Sequence, residues 1–272
     1  MLSASCHQIC TLCRRVFGAP GSPLIAAVLA AVLLPGCGRN GHRQPAESKS
    51  SITIHSTRCK DGSFRRFGSG SLAYAAVVRT HAAVAGRAAG RALFRFGRLN
   101  VNGVPTVFSI RGALVDGRCA PQAYLVQVPK RPNGVTGWVA ARQVAVSTVR
   151  TRIVIDLSDR RVTLYRRGRK VLSAPAAVGA AATPTPTGNF YVNQRLVPSD
   201  PTGPFGPGAV GISAFSDVLT GWTQGGPIAI HGTNAPWSIG KAVSNGCIRI
   251  PNPALRRLFA QAVAGTPVLI RH

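Results

Sequence analysis

Short runs of alternating apolar and polar residues from residue 98 onward limit the possible folds most strongly. Between residues 98 and 146 they read LNVNGVPTVFSIRG, ALVDGR, AYLVQVP and TGWVAARQVAV. Alternation with a period of two is typical of half-buried β-strands, and Asn-Gly or Asp-Gly pairs favour tight hairpin turns. Three such turn stretches separate the runs: Asn102-Gly103, Asp116-Gly117 and Pro132-Asn133-Gly134. The sequence therefore predicts a small β-barrel in this region.

A second β-rich unit is predicted from residue 151 to residue 272. RIVIDLSDRRVTLYRRGRKVLSAPAAVG alternates over two strands with Arg167-Gly168 at the turn, and GNFYVNQ, GPIAIHG and the closing TPVLI also favour strands. One helix is predicted over Pro253–Ala264, with Gly265 as its stop. Apolar side chains recur there at helical spacing: Leu255, Leu258, Phe259 and Val263. We therefore expect a mainly β fold with one helix near its C-terminal end.

The region before the barrel has a different composition. From Leu72 to Leu93 it is rich in Ala with interspersed Arg and contains no Pro, so propensity favours a helix, although Gly86 and Gly90 weaken that prediction. We assign residues 52–148 to one small β domain whose barrel starts at about residue 98. No function is predicted for residues 53–96.

The segment RPNGVTGWV, which contains Trp138, resembles bacterial SH3-like domains that often precede cell-wall enzymes. The resemblance implies a module that positions substrate or binds the wall. The alternative is a packing domain in which Trp138 belongs to the core. The sequence does not separate these interpretations.

The N-terminal residues 1–36 have the pattern of an export signal. Leu24–Leu34 is an uncharged apolar run of 11 residues, too short for a hydrocarbon core that needs about 20 but suited to a secretion signal. The following LLPGC resembles a bacterial lipobox, which implies a lipid on Cys37 and a membrane anchor. A plain signal cut elsewhere, a short buried helix and twin-arginine export through Arg14-Arg15 remain open. The polar residues 37–51 predict a flexible tether.

The charge balance is strongly basic, with 33 Lys and Arg against 7 Asp and Glu and a net charge of +26. Such a charge favours nucleic acid, membrane headgroups or acidic wall polymers as partners. An exported chain without a helix-turn-helix, a zinc finger or an aromatic-interleaved basic patch is not expected to bind nucleic acid, so the predicted partner is the anionic cell envelope. All seven acids precede residue 218, which excludes carboxylate-pair mechanisms from the last part of the chain.

Three of the seven cysteines lie beyond residue 37, namely Cys59, Cys119 and Cys247. They form no CxxC pair, so no metal site and no cofactor is predicted. Export permits a disulfide between Cys59 and Cys119. Because sequence does not give their separation, two buried thiols remain the alternative.

The stretch IAIHGTNAPWSIGKAVSNGCIRI, residues 228–250, concentrates the chemically reactive side chains. Between residues 151 and 271, His231 is the only histidine and Cys247 the only cysteine. A cysteine nucleophile needs a base or cation nearby, and imidazole is the usual one. We therefore predict Cys247 as nucleophile and His231 as its base.

The neighbouring residues predict supporting roles. Because no carboxylate is close in sequence, the backbone carbonyl of Gly232 is the expected partner that orients the imidazole. Gly246 permits a close backbone approach, so the amides of residues 246 and 247 are predicted to face an oxyanion. Arg249 is predicted to hold the loop or to bind a substrate carboxylate.

Several separated segments resemble the L,D-transpeptidases of the YkuD family. These are HGT followed by SxGCIR, together with PTPTGNFYV at residues 184–192 and GPFGPGAVGIS at residues 203–213. The resemblance covers residues 152–270 and implies a β-sandwich in which Cys247 is the nucleophile and His231 the general base and acid. Six further residues are expected to support them. Gly246 and Gly232 are expected to bind the oxyanion or to orient the imidazole. Roles in positioning the substrate or the loop are expected for Arg249, Ser244, Asn245 and Thr233. Many members have histidine at the position of Asn245, which can hydrogen-bond but cannot share a proton.

The resemblance also implies an activity and a location. We expect an enzyme that forms 3-3 cross-links between peptidoglycan stem peptides through a cysteine thioester, at the outer face of the cytoplasmic membrane or in the wall. Attack by water would make it an L,D-carboxypeptidase instead. A non-catalytic wall-binding lipoprotein is the remaining alternative.

Overall fold

The computed structural model describes residues 58–272. The predicted signal, the tether and the Cys37 lipidation site lie outside these residues. The described residues form eighteen β-strands, one α-helix and three short 3-10 turns, so the prediction of a mainly β fold is confirmed. No helix within residues 58–272 is long and apolar enough to cross a membrane.

The first unit is an eight-stranded antiparallel sheet that we call the small domain, residues 58–149. Its strands are β1 Ser63–Arg66, β2 Ala73–Val78, β3 His81–Ala85, β4 Ala92–Gly97, β5 Val107–Val115, β6 Pro121–Gln127, β7 Thr136–Ala140 and β8 Val144–Val149. Their order is β4-β3-β7-β6-β5-β2-β8, with β1 added to β5. The SH3-like resemblance of this unit remains a prediction.

Two expectations for this domain are corrected by the sheet. The helix expected over Leu72–Leu93 is wrong, because that segment forms β2, β3 and the start of β4. Residue 98 is not a boundary, since β2 pairs with β5 and β8 while β3 pairs with β7. The physical reason is tertiary burial: Ala76 and Ala82 are almost inaccessible and lie in one core with Phe108, and this packing outweighs the helix propensity of alanine.

A disulfide joins Cys59 to Cys119, whose Cα atoms are 5.1 Å apart. The bond ties the segment before β1 to the turn between β5 and β6. Trp138 is half-buried and meets the Phe64 ring edge-on at 5.9 Å between centroids. It therefore contributes to packing at one face of the sheet.

The second unit, residues 151–271, forms another eight-stranded sheet with the order β11-β10-β9-β18-β13-β14-β15-β17. Its elements are β9 Thr151–Asp156, β10 Arg161–Arg166, β11 Arg169–Pro175, β12 Val178–Gly179, β13 Gly188–Leu196, β14 Ala209–Phe215, β15 Pro227–His231, β16 Ala242–Ser244, β17 Ile248–Arg249, α1 Asn252–Gln261 and β18 Pro267–Arg271. Strands β12 and β16 pair separately.

Strand β13 connects two halves of this sheet. Its residues 188–191 pair with β18, and its residues 192–196 pair with β14. Side chains from both halves and from α1 enter one core, which includes Ile153, Ile212 and Leu258. The helix begins at Asn252 and ends at Gln261, three residues earlier than expected, because the chain is already extended at Ala262.

The two domains are bonded directly to each other. Tyr191 of β13 donates its hydroxyl hydrogen to the carbonyl of Val107 at 3.1 Å. Gln127 Nε2 donates to the carbonyl of Asn189 at 2.9 Å. Burial raises the pKa of Tyr191 well above its usual value, although nearby Arg111 acts in the opposite direction, so the hydroxyl stays protonated as a donor in this interface.

Candidate active site

Strands β15 and β17 bring the predicted nucleophile and base to one place. They pair in parallel, with Ile230 opposite Ile248 and His231 opposite Arg249. Cys247 directly precedes β17, so this pairing sets it beside the end of β15. His231 and Cys247 are 4% and 7% exposed and line the same pocket. The pocket is completed by Pro204, Phe205, Ser216, Leu219, Trp222, Gly226, Pro227, Ser244, Asn245 and Arg249.

The imidazole of His231 has a fixed orientation. Its Nδ1 lies 2.6 Å from the carbonyl oxygen of Gly232, the group named from sequence. A carbonyl only accepts, so Nδ1 carries the hydrogen and donates, which leaves Nε2 as the nitrogen for proton transfer. The ring of Phe205 meets the imidazole edge-on at 5.0 Å between centroids. Together these contacts hold the tautomer and the plane of the ring.

The loop that carries Cys247 is held by hydroxyl groups. Ser244 Oγ donates to the carbonyl of Cys247 at 2.6 Å and accepts from the amide of Gly246 at 3.2 Å. Thr185 Oγ1 donates to the carbonyl of Gly246 at 2.9 Å, and Thr183 Oγ1 donates to that of Ser244 at 2.9 Å. These hydrogen bonds fix the loop backbone on both sides of Gly246.

The Gly246 backbone requires glycine. Its φ of +102° lies in the left-handed region, and a Cβ there would come to 3.0 Å from Ile228 Cδ1. The prediction for its amide needs correction, because that amide already donates to Ser244 Oγ. In this structure Gly246 therefore shapes the loop and does not offer its N–H to an oxyanion.

The thiol of Cys247 lies among small apolar side chains. Ala209 and Ala229 form a buried cluster with it, and its Sγ is 4.0 Å from the carbonyl of Pro227. Apart from Cys247, the ionisable side chains among the described pocket residues are His231 and Arg249, with no carboxylate. A site with these groups supports thiolate chemistry assisted by imidazole.

The remaining predicted residues divide between the pocket and its surroundings. Arg249 and Asn245 line the pocket, and the backbone of Arg249 is fixed by two hydrogen bonds with Ala177, of 2.8 and 3.0 Å. Thr233 does not line it. Its amide donates to Asn252 Oδ1 at 2.8 Å and its Oγ1 accepts from Ala235 at 2.9 Å, so Thr233 shapes the turn after His231.

Sequence reasoning missed several residues that build the site. Thr185 and Phe205 lie within the PTPTGNFYV and GPFGPGAVGIS segments, so their segments were recognised but their individual contacts were not. Asn252 gave no signal, because an asparagine at the start of a helix is an ordinary feature. The largest omission is the segment of residues 216–226.

We call this segment the 216–226 loop. Its base is closed by the amide of Ser216, which donates to the carbonyl of Gly226 at 2.8 Å. Inside it, Ser216 Oγ accepts from the amide of Leu219 at 3.1 Å. Ser216, Leu219, Trp222 and Gly226 all line the pocket of Cys247 and His231, so the loop forms a wall of the site.

The part of the chain that the structure describes contains no group of three or more His, Cys, Asp or Glu side chains placed to hold a metal ion. Within the pocket, the polar contacts are hydroxyls, backbone amides and carbonyls. The arrangement brings a thiol and an oriented imidazole together, which is the equipment of acyl transfer through a covalent intermediate.

Comparison with known proteins gives concordant results. The family model described as the L,D-transpeptidase catalytic domain, YkuD, matches residues 150–270. A putative L,D-transpeptidase YkuD of Bacillus licheniformis is 37% identical over 169 residues, covering 60% of this chain and 93% of that protein. The corresponding Bacillus subtilis protein is 33% identical over 168 residues with the same coverage. A solved Enterococcus faecium L,D-transpeptidase variant is 27% identical over 44% of this chain and 49% of its own, with a TM-score of 0.35.

Proposed function

The chain belongs to the YkuD family of L,D-transpeptidases, and we propose that it forms 3-3 cross-links between peptidoglycan stem peptides through a thioester on Cys247. One observation carries this proposal. The only cysteine and the only histidine of residues 151–271 line one pocket, and Gly232 fixes the tautomer of that histidine.

In the first half-reaction His231 Nε2 takes the proton of the Cys247 thiol, and the resulting thiolate attacks the carbonyl of the diamino acid at the third position of a tetrapeptide stem. The C–S bond forms and the carbonyl π electrons move to oxygen. When the intermediate collapses, the amide bond to the terminal D-alanine breaks. His231 Nε2–H gives its proton to the departing amine, which leaves a thioester.

In the second half-reaction the side-chain amine of a neighbouring stem attacks the thioester. His231 Nε2 takes a proton from that amine as the new amide forms, and Cys247 leaves as the thiolate. The product joins two third-position residues. Water in place of the amine would release a tripeptide, so L,D-carboxypeptidase activity is the second candidate.

Two pocket residues support this chemistry. Arg249 provides a positive charge in a pocket whose described residues contain no carboxylate, and its guanidinium suits a substrate carboxylate. Asn245 contributes a side-chain amide to the same pocket. Since an amide does not transfer protons at neutral pH, His231 has to serve both half-reactions alone.

We further propose that the protein acts outside the cytoplasm, anchored through a lipid on Cys37. The support is the apolar run ending in LLPGC and the net charge of +26, which favours an anionic envelope. Radiolabelled lipid should be incorporated into the wild type and not into a Cys37→Ala variant. Equal labelling of both would refute the anchor without affecting the enzymatic proposal.

The enzymatic proposal is tested with purified protein and a disaccharide tetrapeptide. A dimer supports transpeptidation, a tripeptide supports the carboxypeptidase, and no change supports a non-catalytic binding protein. Cys247→Ala should abolish both products, with a loss of about 10³-fold or more.

Mass spectrometry of a carbapenem adduct identifies the nucleophile directly. The adduct should form on the wild type and on a matched Cys59→Ser/Cys119→Ser variant, since those cysteines are joined to each other. It should be absent from Cys247→Ala. An adduct that persists on Cys247→Ala would show that the nucleophile is assigned wrongly.

A further inference from the structure

We propose that the small domain is a working part of the active site, because its Arg131 and Asn133 act as positioning residues that hold the 216–226 loop against the pocket. The inference rests on the proposed function and deepens it. For this domain the sequence left two interpretations open, a module that positions substrate or binds the wall and a plain packing domain. The inference favours substrate positioning and names the side chains that perform it.

Asn133 bonds both backbone groups of the residue before the loop. Its Nδ2 donates to the carbonyl of Phe215 at 2.8 Å, and the amide of Phe215 donates to its Oδ1 at 2.9 Å. The same Nδ2 lies 3.2 Å from Asp217 Oδ1. One side chain therefore replaces a strand partner at the end of β14 and fixes where the loop leaves the sheet.

Arg131 ties the two ends of the loop together. Its Nη2 donates to the carbonyl of Ser216 and, at 2.8 Å, to that of Gly225. Its guanidinium also lies over the ring of Phe215, 5.4 Å from the centroid. Hydrogen bonds from a charged donor are stronger than neutral ones, so this contact stabilises the closed base of the loop from outside.

A third contact reaches the loop from the same domain. Gln224 Nε2 donates to Asn102 Oδ1 at 3.0 Å. Thus three side chains from two different turns of the small domain converge on residues 215–225, and the same loop supplies Leu219 and Trp222 to the pocket. A shift of the loop base would move these two side chains relative to Cys247.

Other interdomain bonds lie elsewhere and provide a matched control. Tyr191 bonds to Val107 across the same interface, but neither residue lines the pocket of Cys247 and His231. Tyr191→Phe removes one interdomain hydrogen bond and keeps the ring. If the small domain only stabilises the fold, Asn133→Ala and Tyr191→Phe should have similar consequences.

The experiment compares the wild type, Asn133→Ala, Arg131→Lys and Tyr191→Phe in the full chain. Hydrogen exchange measures the amides of residues 216–226, and turnover of the tetrapeptide gives kcat and KM separately. We expect Asn133→Ala to speed hydrogen exchange in the loop about tenfold and to raise KM about tenfold, with a smaller change in kcat. A tenfold change corresponds to roughly 1.4 kcal/mol, which is the loss expected for the two hydrogen bonds with Phe215.

Arg131→Lys keeps the charge but not the planar fork, so it should show a smaller increase of the same two quantities. It also serves as the second variant if Asn133→Ala fails to fold. Tyr191→Phe should leave loop exchange and KM unchanged. Loop exchange that stays at the wild-type rate in both loop variants, or equal effects of Tyr191→Phe, would overturn the inference.

Failure of the proposed function is distinguishable from failure of this inference. Hydrogen exchange and alkylation of Cys247 by iodoacetamide need no stem peptide. If the wild type does not process the tetrapeptide, the proposed function fails, and faster loop exchange with altered Cys247 alkylation in Asn133→Ala still supports the positioning role. Unchanged exchange and alkylation overturn it.

Discussion

The two domains are both built on an eight-stranded sheet but serve different purposes. Each has an eight-stranded sheet and an apolar core. Most of the buried polar side chains lie in the catalytic domain, residues 151–271: Thr185, Ser213, Ser216, His231, Thr233, Ser238, Ser244 and Thr266, against Thr106, Ser109 and Gln127 in the small domain. Burying a polar group costs free energy unless it is hydrogen-bonded. In the catalytic domain, hydrogen bonds to the backbone of the Cys247 loop offset this cost for Thr185 and Ser244.

The cysteines show the same contrast. Cys59 and Cys119 are joined in a disulfide of the small domain, whereas Cys247 of the catalytic domain keeps its thiol. Burial alone does not separate them, since Cys119 and Cys247 are 6% and 7% exposed. The neighbouring group is what differs. Cys119 has the sulfur of Cys59 as its neighbour, whereas Cys247 shares its pocket with the oriented imidazole of His231.

Among the variants that test this contrast, replacement of His231 should cause the largest loss of activity. The substitution His231→Gln removes the proton acceptor and keeps a side chain of similar size. We expect kcat/KM on the tetrapeptide to fall by about 10³-fold, within the usual range for a general base. The midpoint of thermal unfolding should stay close to that of the wild type. The matched control is His81→Gln, an exposed histidine at the start of β3, which should retain full activity. Normal turnover by His231→Gln would remove the base from the mechanism.

Gly246→Ala should have the next largest effect. The added Cβ meets Ile228 Cδ1 at 3.0 Å in a backbone with φ of +102°, so the loop has to move, and a displaced nucleophile should cost about 10²-fold in kcat/KM. Gly62→Ala is the control, because its φ is +70° with no atom within 4 Å of the added Cβ. Both variants should lose stability from backbone strain, but only Gly246→Ala should lose activity in the fraction that remains folded. Equal losses would mean that the activity follows stability alone.

The site residues close together in sequence were predictable, and those that meet through the fold were not. Cys247 follows Gly246 within a motif, and Arg167-Gly168 marked a hairpin that the structure contains, because both features depend on local backbone requirements. Asn133 and Phe215 are 82 positions apart, and no periodicity links them. Asparagine in a Pro-Asn-Gly stretch predicts a turn, which is correct but incomplete.

The small domain was less predictable than the catalytic domain. Alanine favours helix in isolation, yet Ala76 and Ala82 lie in strands because they are buried in one core with larger side chains such as Phe108. Whether such a segment becomes a strand depends on partners at residues 107 and beyond, which pair with it in the sheet. Propensity carries no information about those partners.

Removing the disulfide should have the smallest effect on catalysis and the clearest effect on stability. Cys59 and Cys119 are separated by 60 positions, so a Cys59→Ser/Cys119→Ser variant should lose roughly 2–4 kcal/mol of unfolding free energy. Urea unfolding followed by tryptophan fluorescence measures that loss. At urea concentrations below its unfolding transition, the variant should keep the wild-type kcat and KM. The reason is that the cross-link joins the segment before β1 to the β5–β6 turn, whereas Arg131 and Asn133 lie between β6 and β7. An increase in KM there would show that the whole small domain, beyond these two side chains, sets the position of the 216–226 loop.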